Sequence, residues 1–323
     1  MKIWSIESDN GNFDIETNNI TILFGDNIKW FHLIRQIDDF FNNRYSTVKI
    51  YEDARLMNKK EWDCHFIPFD AHIQLDKITT KSPLFKIREN AAEQLTYSPL
   101  YNELLDVWSG LNDELVLFNQ KLKRWGIQAT LRETGTKVFS ENIVFFPIKK
   151  MKPLDYKKLL LNIIVDSPFE NNNLIILELP ELYTDEEEMD TFCEYIKELA
   201  NKGYQIFIVT NTKFKAMGRK ESWNYCIMDV IVNHAVIEQR KSKIINDLPF
   251  FCEDALFETA KELLFKVVDN SISLHELKQI IDKNYDSIVT IIFAILYNLG
   301  IEIPYELEDL EPNLKMFLRE YKS

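Results

Sequence analysis

The chain has 323 residues, a formal net charge of −13 and 46% hydrophobic residues. Its length allows one large core with a smaller second domain, and its few Gly and Pro residues exclude collagen-like, disordered and low-complexity chains. A negative charge of this size disfavours nonspecific nucleic-acid binding by the protein as a whole, so only locally positive surface can bind phosphate.

No secretory or membrane segment is predicted. The first residues, MKIWSIESDNGNFDIE, lack the basic and then apolar pattern of a signal peptide, and no apolar run of about 18 residues follows. We therefore expect a cytoplasmic protein that binds no membrane. The cysteines are far apart and form no CxxC pair, which predicts buried thiols and neither a zinc site nor a disulfide framework. They are Cys64, Cys193, Cys226 and Cys252.

The N-terminal elements open a βαβ unit. Residues 2–6 and 12–16 flank an Asp-Asn-Gly turn, which predicts a β-hairpin. The apolar run 20–24 is typical of a strand buried on both faces. A turn at 25–27 leads directly into residues 30–41, whose apolar positions recur at helical spacing.

The middle of the chain is predicted to be largely helical. Two short strands are expected at 48–51 and 65–68. Residues 84–124 follow as a helical insertion with apolar positions spaced for one buried face, and Gly126 ends it. Beyond it, we expect strands at 128–132 and 142–146, and then a helix at 156–165.

Two further buried strands follow. The second parallel strand is predicted at 174–177, and an acidic-capped amphipathic helix that ends at Gly203 comes after it. The third parallel strand is predicted at 206–209. Beyond Arg240 only helices are expected, in roughly 246–268, 273–299 and 311–321.

Three predicted strands end in polar segments: ILFGDN, LIILELPE and IFIVTNT. Their order and endings resemble ABC and SMC-family ATPases, whose strands end in the phosphate loop, the Walker B acid and a histidine switch. The fold class expected is therefore α/β: an ABC/SMC-like head with a parallel sheet core, a helical insertion or leg, and a C-terminal helical extension. We expect the head at 1–83 and 126–243, the leg at 84–125 and the C-terminal helical domain at 244–323.

Each resemblance is degraded at its chemical residue. A working phosphate loop needs glycines, a Lys for the outer phosphates and a Ser or Thr for magnesium. Here Gly25, Asn27 and Lys29 form a degenerate nucleotide loop, in which bulky Trp30 and Phe31 replace the small residues. Glu178 takes the place of the magnesium-binding acid. The general base that should follow is Leu179, and Asn211 stands near the switch histidine.

The degenerate head, the helical insertion and the chain length together resemble one family, the longer form of the Csn-two family of type II-A CRISPR-associated proteins. That resemblance implies a homotetrameric ring that binds the ends of double-stranded DNA through its central channel. It also implies a calcium cofactor, no ATPase activity, a role in spacer acquisition, and as partners the other CRISPR adaptation proteins, the integrase complex and the RNA-guided effector nuclease.

Two charged segments fit that implication. The segment from 121 to 158 contains ten basic residues and only three acidic ones. The candidate DNA-binding residues in this segment are Lys121, Lys123, Arg124, Lys149, Lys150 and Lys152; the alternative is an ordinary solvated face. Glu178, Glu181 and Asp185 are candidate calcium ligands because calcium binds several carboxylate or carbonyl oxygens. For the acids from 186 to 190, the alternative is that they complement the dipole of the helix that they begin.

Two other functions stay open. One is a divergent SMC- or RecF-like ATPase that acts on DNA, for which Lys29 would bind triphosphate and Glu178 would hold magnesium. The other is a protein-interaction module that docks through the acidic helix at 185–198 and the C-terminal helices.

Overall fold

The computed structural model describes residues 2–9, 11–25, 28–75, 78, 82–131, 135–166, 171–212, 221–227, 230–268, 285–301 and 311–321. The strands are β1 (Lys2–Ser8), β2 (Gly11–Thr17), β3 (Ile20–Phe24), β4 (Lys49–Glu52), β5 (Arg55–Leu56), β6 (Trp62–Ile67), β7 (Asn172–Glu178), β8 (Gln205–Thr210), β9 (Glu221–Ile227) and β10 (Val230–Val232). The α-helices are α1 (Ile28–Asn42), α2 (Pro83–Thr96), α3 (Pro99–Leu122), α4 (Thr136–Glu141), α5 (Pro153–Asp166), α6 (Glu186–Asn201), α7 (His234–Asn246), α8 (Asp254–Val268), α9 (Tyr285–Asn298) and α10 (Pro312–Tyr321).

The main sheet has the strand order β10-β9-β3-β8-β7-β6. Strand β3 pairs in parallel with β8 and with β9, and β8 pairs in parallel with β7. The predicted α/β class with a parallel sheet core is therefore confirmed. The three central strands are apolar along almost their whole length because side chains on both faces are buried.

A second sheet, of order β2-β1-β4-β5, begins with the predicted hairpin. Strands β1 and β2 pair antiparallel from Lys2 opposite Thr17 to Ser8 opposite Gly11. Trp4 on β1 is fully buried, and its ring centroid lies 5.0 Å from that of Phe207 on β8. This aromatic contact packs the hairpin sheet on the main sheet.

By internal contacts the chain forms two compact units. One contains residues 1–64 and 171–323, and the other contains 65–170. The C-terminal helices share a buried cluster with β9 and β10, in which Tyr225 and Val232 lie with Phe257, Ile291 and Phe317. The predicted boundary at 243 falls inside α7. The division into head, leg and C-terminal helical domain stays a prediction.

Some predicted elements are wrong. No strand forms at 128–131, because the Asn119 side chain pairs with both backbone groups of Ala129, at 2.7 and 2.8 Å, and Asn112 accepts from the Leu131 N–H. An irregular segment after helix α4 takes the place of the strand predicted at 142–146. The helix expected from 246 begins only at Asp254, since Pro249 has no N–H for a helical hydrogen bond. Of the helix predicted at 273–299, residues 273–284 lie outside the described residues.

Candidate functional site

The three predicted polar segments meet at one edge of the main sheet. Strands β3, β8 and β7 are parallel neighbours, so their carboxyl ends lie side by side. Backbone hydrogen bonds tie them together. The Gly25 N–H donates to the Thr210 carbonyl at 3.0 Å, and the Leu179 N–H donates to the Val209 carbonyl at 2.9 Å. We call this region the sheet edge; it consists of Phe24–Gly25, Glu178–Glu181 and Thr210–Asn211.

The turn after β3 is occupied by a side chain of the protein itself. Gly25 has a φ of +107°, a backbone conformation that favours glycine. Trp30 on α1 is fully buried, and its indole Nε1 donates a hydrogen bond to the Phe24 carbonyl at 3.0 Å. Lys29 is half-buried one residue earlier, and Asn27 lies outside the described residues. An indole therefore binds the backbone at the start of the predicted nucleotide loop.

Glu178 forms an ion pair within the protein and is not open to a metal ion. Its carboxylate is 1% exposed, and the Arg35 guanidinium on α1 lies 2.7 Å from it. Arg35 is itself held by a hydrogen bond from Nη1 to the Phe31 carbonyl at 3.0 Å. In an ATPase of this kind the equivalent acid binds magnesium, so here a guanidinium supplies the positive charge that the buried carboxylate requires. Sequence analysis missed Arg35 because its position on the exposed side of an amphipathic helix carries no motif.

The residue after Glu178 cannot act as a general base. Leu179 is an apolar, buried side chain, and its backbone has a φ of +42°, which is strained for a leucine. Tyr183, four residues later, has a φ of +64°. The turn after β7 therefore keeps an unusual backbone but presents no proton-accepting group at this position.

The three predicted calcium ligands have protein partners of their own. The Asn211 N–H donates to Glu181 Oε1 at 2.7 Å, and the Glu188 N–H donates to Asp185 Oδ1 at 2.8 Å, which makes Asp185 the N-cap of α6. Within the described part of the chain, no group of three or more His, Cys, Asp or Glu side chains is placed to hold a metal ion. Glu178, Glu181 and Asp185 thus do not fit a calcium site in this geometry.

The predicted DNA-binding residues are all exposed and all belong to the 65–170 unit. Lys121 lies in the last turn of α3, and Lys123 and Arg124 lie in the short 3-10 helix Lys123–Trp125 that follows. The Arg124 guanidinium stacks on the Trp125 ring, 3.8 Å from its centroid, and Trp125 is 59% exposed. Lys149, Lys150 and Lys152 lie in the segment before α5.

Helix α3 presents apolar side chains that are exposed in the described part of the chain. None of its 24 residues is buried, contrary to the one buried face predicted for it. The exposed apolar side chains are Leu100, Leu104, Val107, Leu111, Val116, Leu117 and Phe118. Periodicity located the helix but not its surroundings, because the same spacing describes a face buried within one chain and a face buried between chains.

None of the four cysteines forms a disulfide; Cys226 is half-buried and the others are buried. Among the helices that the structure describes, none is both long enough and apolar enough to span a bilayer.

No protein family model matches the sequence, and neither does a curated relative. Several solved structures are similar in shape. Stu0660 of Streptococcus thermophilus aligns over 99% of this chain and 100% of its own, with 14% identity and a TM-score of 0.49. An SMC head bound to the C-terminal winged-helix domain of ScpA aligns over 73% and 98%, with 9% identity and a TM-score of 0.38. A nucleotide-free ATP-binding cassette of an ABC transporter aligns over 75% and 96%, with 12% identity and a TM-score of 0.34. At these values none of the likenesses assigns a function to this chain.

Proposed function

We propose that this chain binds the ends of double-stranded DNA as a homotetrameric ring of the Csn-two family, acts in CRISPR spacer acquisition and does not hydrolyse ATP. Its partners in that role are the integrase complex and the RNA-guided effector nuclease. The observation that carries the proposal is the exposure of all six predicted basic residues in one compact unit of an otherwise acidic chain.

The sheet edge supports the absence of ATPase activity. Hydrolysis requires open backbone N–H groups for phosphate, a carboxylate for magnesium and a base for water. Here the Gly25 N–H is bonded to Thr210, Glu178 is paired with Arg35, and Leu179 replaces the base. For a divergent SMC- or RecF-like ATPase, the Arg35 guanidinium would first have to leave Glu178.

The exposed apolar side chains of α3 support assembly. A stripe at Leu100, Leu104, Val107 and Leu111 has the alternating spacing of four and three residues by which helices pack together between chains. An exposed apolar surface of this kind is typical of an interface rather than of a monomer surface. We infer that a second copy of this chain covers it. If a different protein covers it instead, the interaction-module function is favoured.

Calcium belongs to the proposal only through the family resemblance. Since Glu178, Glu181 and Asp185 do not fit a calcium site, we assign no ligands to the ion. The thermal midpoint should then rise with calcium and fall with chelator. If Glu181→Gln leaves the size of this calcium response unchanged, a site elsewhere in the assembly is supported.

The experiment that tests the proposal compares three forms of one DNA sequence: a linear fragment, the same fragment with streptavidin attached at both ends, and the covalently closed circle. A ring that threads DNA from an end is expected to bind the blocked fragment and the circle at least about tenfold more weakly than the free fragment. Native mass spectrometry of the same sample gives the number of subunits. Equal affinity for all three forms, or a monomer that binds DNA, would contradict the ring.

A further inference from the structure

A cavity of about 750 Å³ lies among β2, β9, α7 and α8, within the unit formed by residues 1–64 and 171–323. Its volume is in the range of sites that bind small organic molecules. The lining residues are Glu16 from β2, Trp223 from β9, His234, Ala235, Glu238 and Gln239 from α7, and Lys261 from α8.

Glu16 lines this cavity, and no side chain in the described part of the chain forms an ion pair with it. Glu16 is 1% exposed, and the Ala235 N–H donates to its Oε2 at 2.9 Å. The first turn of α7 supplies the partial positive charge of a helix N-terminus, which offsets only part of a buried carboxylate's charge. Buried carboxylates are normally paired with a full positive charge, so this carboxylate is suited to a cationic ligand.

Glu16 is held rigidly in place. Its backbone N–H donates to Asn224 Oδ1 at 2.8 Å, and Asn224 Nδ2 donates to its carbonyl at 2.9 Å. Asn233, the N-cap of α7, donates through Nδ2 to the same Asn224 oxygen at 2.8 Å. Three strands or helices thus position the carboxylate, which is typical of a preorganised binding group.

The basic side chain that lines the cavity is already neutralised. Lys261 is almost fully buried and pairs with Glu238, at 3.4 Å, and with Glu258. His234 packs against Phe265 with ring centroids 4.2 Å apart, and burial lowers the pKa of its imidazole, so it stays neutral at pH 7. With Glu16 and Glu238 against Lys261, the lining has a net charge of −1, which disfavours an anionic ligand such as a phosphate.

We propose that this cavity binds an organic cation through a planar guanidinium group. A guanidinium donates charge-assisted hydrogen bonds to a carboxylate such as that of Glu16, and its flat face packs on aromatic rings such as those of Trp223 and His234. A compact ammonium ion has the required charge but no planar face to pack on these rings. A metal ion is disfavoured because the described residues hold no group of three ligands. The site is independent of DNA binding.

Calorimetric titration of the full chain with arginine amide tests the site. Citrulline amide, which has nearly the same shape but no charge, and lysine amide, which has the charge but not the plane, are the matched ligands. We expect arginine amide to bind, lysine amide to bind more weakly and citrulline amide to give no heat. A blocked Gly-Arg-Gly peptide separates the two sources of the group. Binding of the peptide indicates an arginine on a protein partner, and binding of arginine amide alone indicates a small molecule.

Variants localise the binding to Glu16. Glu16→Gln keeps the side-chain shape and an oxygen for the Ala235 N–H. This variant should bind arginine amide about tenfold or more weakly, because a charge-assisted pair is lost. Trp223→Phe should reduce the affinity for arginine amide by a smaller factor. Glu262→Gln, on the same helix as Lys261 but outside the lining, is the control. Equal heats for arginine and citrulline amides, or unchanged affinity in a folded Glu16→Gln protein, would overturn the proposal.

Discussion

The sheet edge and helix α3 differ in whether their side chains are engaged within the chain or exposed at its surface. At the sheet edge the polar groups described above are engaged by other groups of the same chain: Gly25 with Thr210, Glu178 with Arg35, and Glu181 with Asn211. Helix α3 has no buried residue, and basic side chains follow at its C-terminal end. The sheet edge has therefore become part of the folded structure, whereas α3 and the basic residues are available to bind other molecules.

Because of that difference, we expect substitutions in the two regions to affect different properties: the stability of the fold in one case and DNA affinity in the other. Substitutions at the sheet edge should change the free energy of unfolding and leave DNA affinity almost unchanged. Substitutions in the 121–152 segment should do the reverse, because exposed side chains contribute little to the stability of the fold.

Reversing two exposed charges should give the largest effect. We expect Lys149→Glu with Lys150→Glu to weaken binding of linear duplex DNA on the order of 100-fold, because phosphate contacts dominate affinity and each copy in the assembly loses two. The double variant Lys202→Glu and Lys266→Glu, which changes the net charge equally in the other unit, is the control. Anisotropy titrations at several salt concentrations measure both. Unchanged binding in the first variant would mean that DNA lies elsewhere.

The apolar stripe of α3 should control assembly. Val107→Lys with Leu111→Lys places charges on side chains exposed in the single chain, so we expect smaller assemblies in native mass spectra. The stability of the released subunit should change by no more than about 0.5 kcal/mol. Asn102→Lys with Ser109→Lys adds the same two positive charges at exposed polar positions of α3 and should leave the assembly intact. Intact assemblies in the first variant would show that a different surface joins the subunits.

Breaking the ion pair at the sheet edge should affect stability alone. Arg35→Ala leaves Glu178 buried without a counter-charge, and we expect a loss of about 2 kcal/mol in denaturant unfolding. The loss is below the roughly 3–5 kcal/mol of a fully buried pair because Arg35 is half exposed. Glu178→Gln in the Arg35→Ala background should recover much of it. Arg44→Ala, at another exposed arginine, should cost far less; an equal loss would remove the special role of Arg35.

The histidine that lines the cavity should give the smallest effect. Burial is the main cause that lowers the pKa of His234 below 6.5; Lys261 also lowers it, while Glu16, Glu258 and Glu262 raise it. The unfolded chain therefore binds more protons, and stability is complete above pH 6.5 and falls as the pH drops through that value. His234→Phe keeps the ring contact with Phe265 and should flatten this part of the pH profile. An identical profile would assign the pH dependence to other groups.

The sequence predicted the parts of the fold that depend on local patterns. Continuous apolar runs located β3, β7 and β8, and helical periodicity located α1, α3 and α6. The strand predicted at 128–132 was wrong because Asn112 and Asn119, more than eight residues earlier, take over its backbone hydrogen bonds. Long-range side-chain partners of this kind leave no local pattern.

The candidate site divides in the same way. Sequence analysis identified the missing base at Leu179 because a motif position was changed. It did not identify Arg35 as the partner of Glu178, nor the Glu16 cavity, because both depend on residues that only the fold brings together.

The most direct test of the account is the affinity for free-ended linear duplex DNA at one fixed Mg²⁺ concentration, with and without a saturating fluorescent ATP analogue. The fluorescence of the analogue also reports nucleotide binding. Because Trp30 and Arg35 occupy the sheet edge, we expect no binding of the analogue, no phosphate release and the same DNA affinity in both conditions. Micromolar binding of the analogue that is lost in Lys29→Ala, or a DNA affinity that changes with nucleotide, would contradict the account and favour a divergent ATPase.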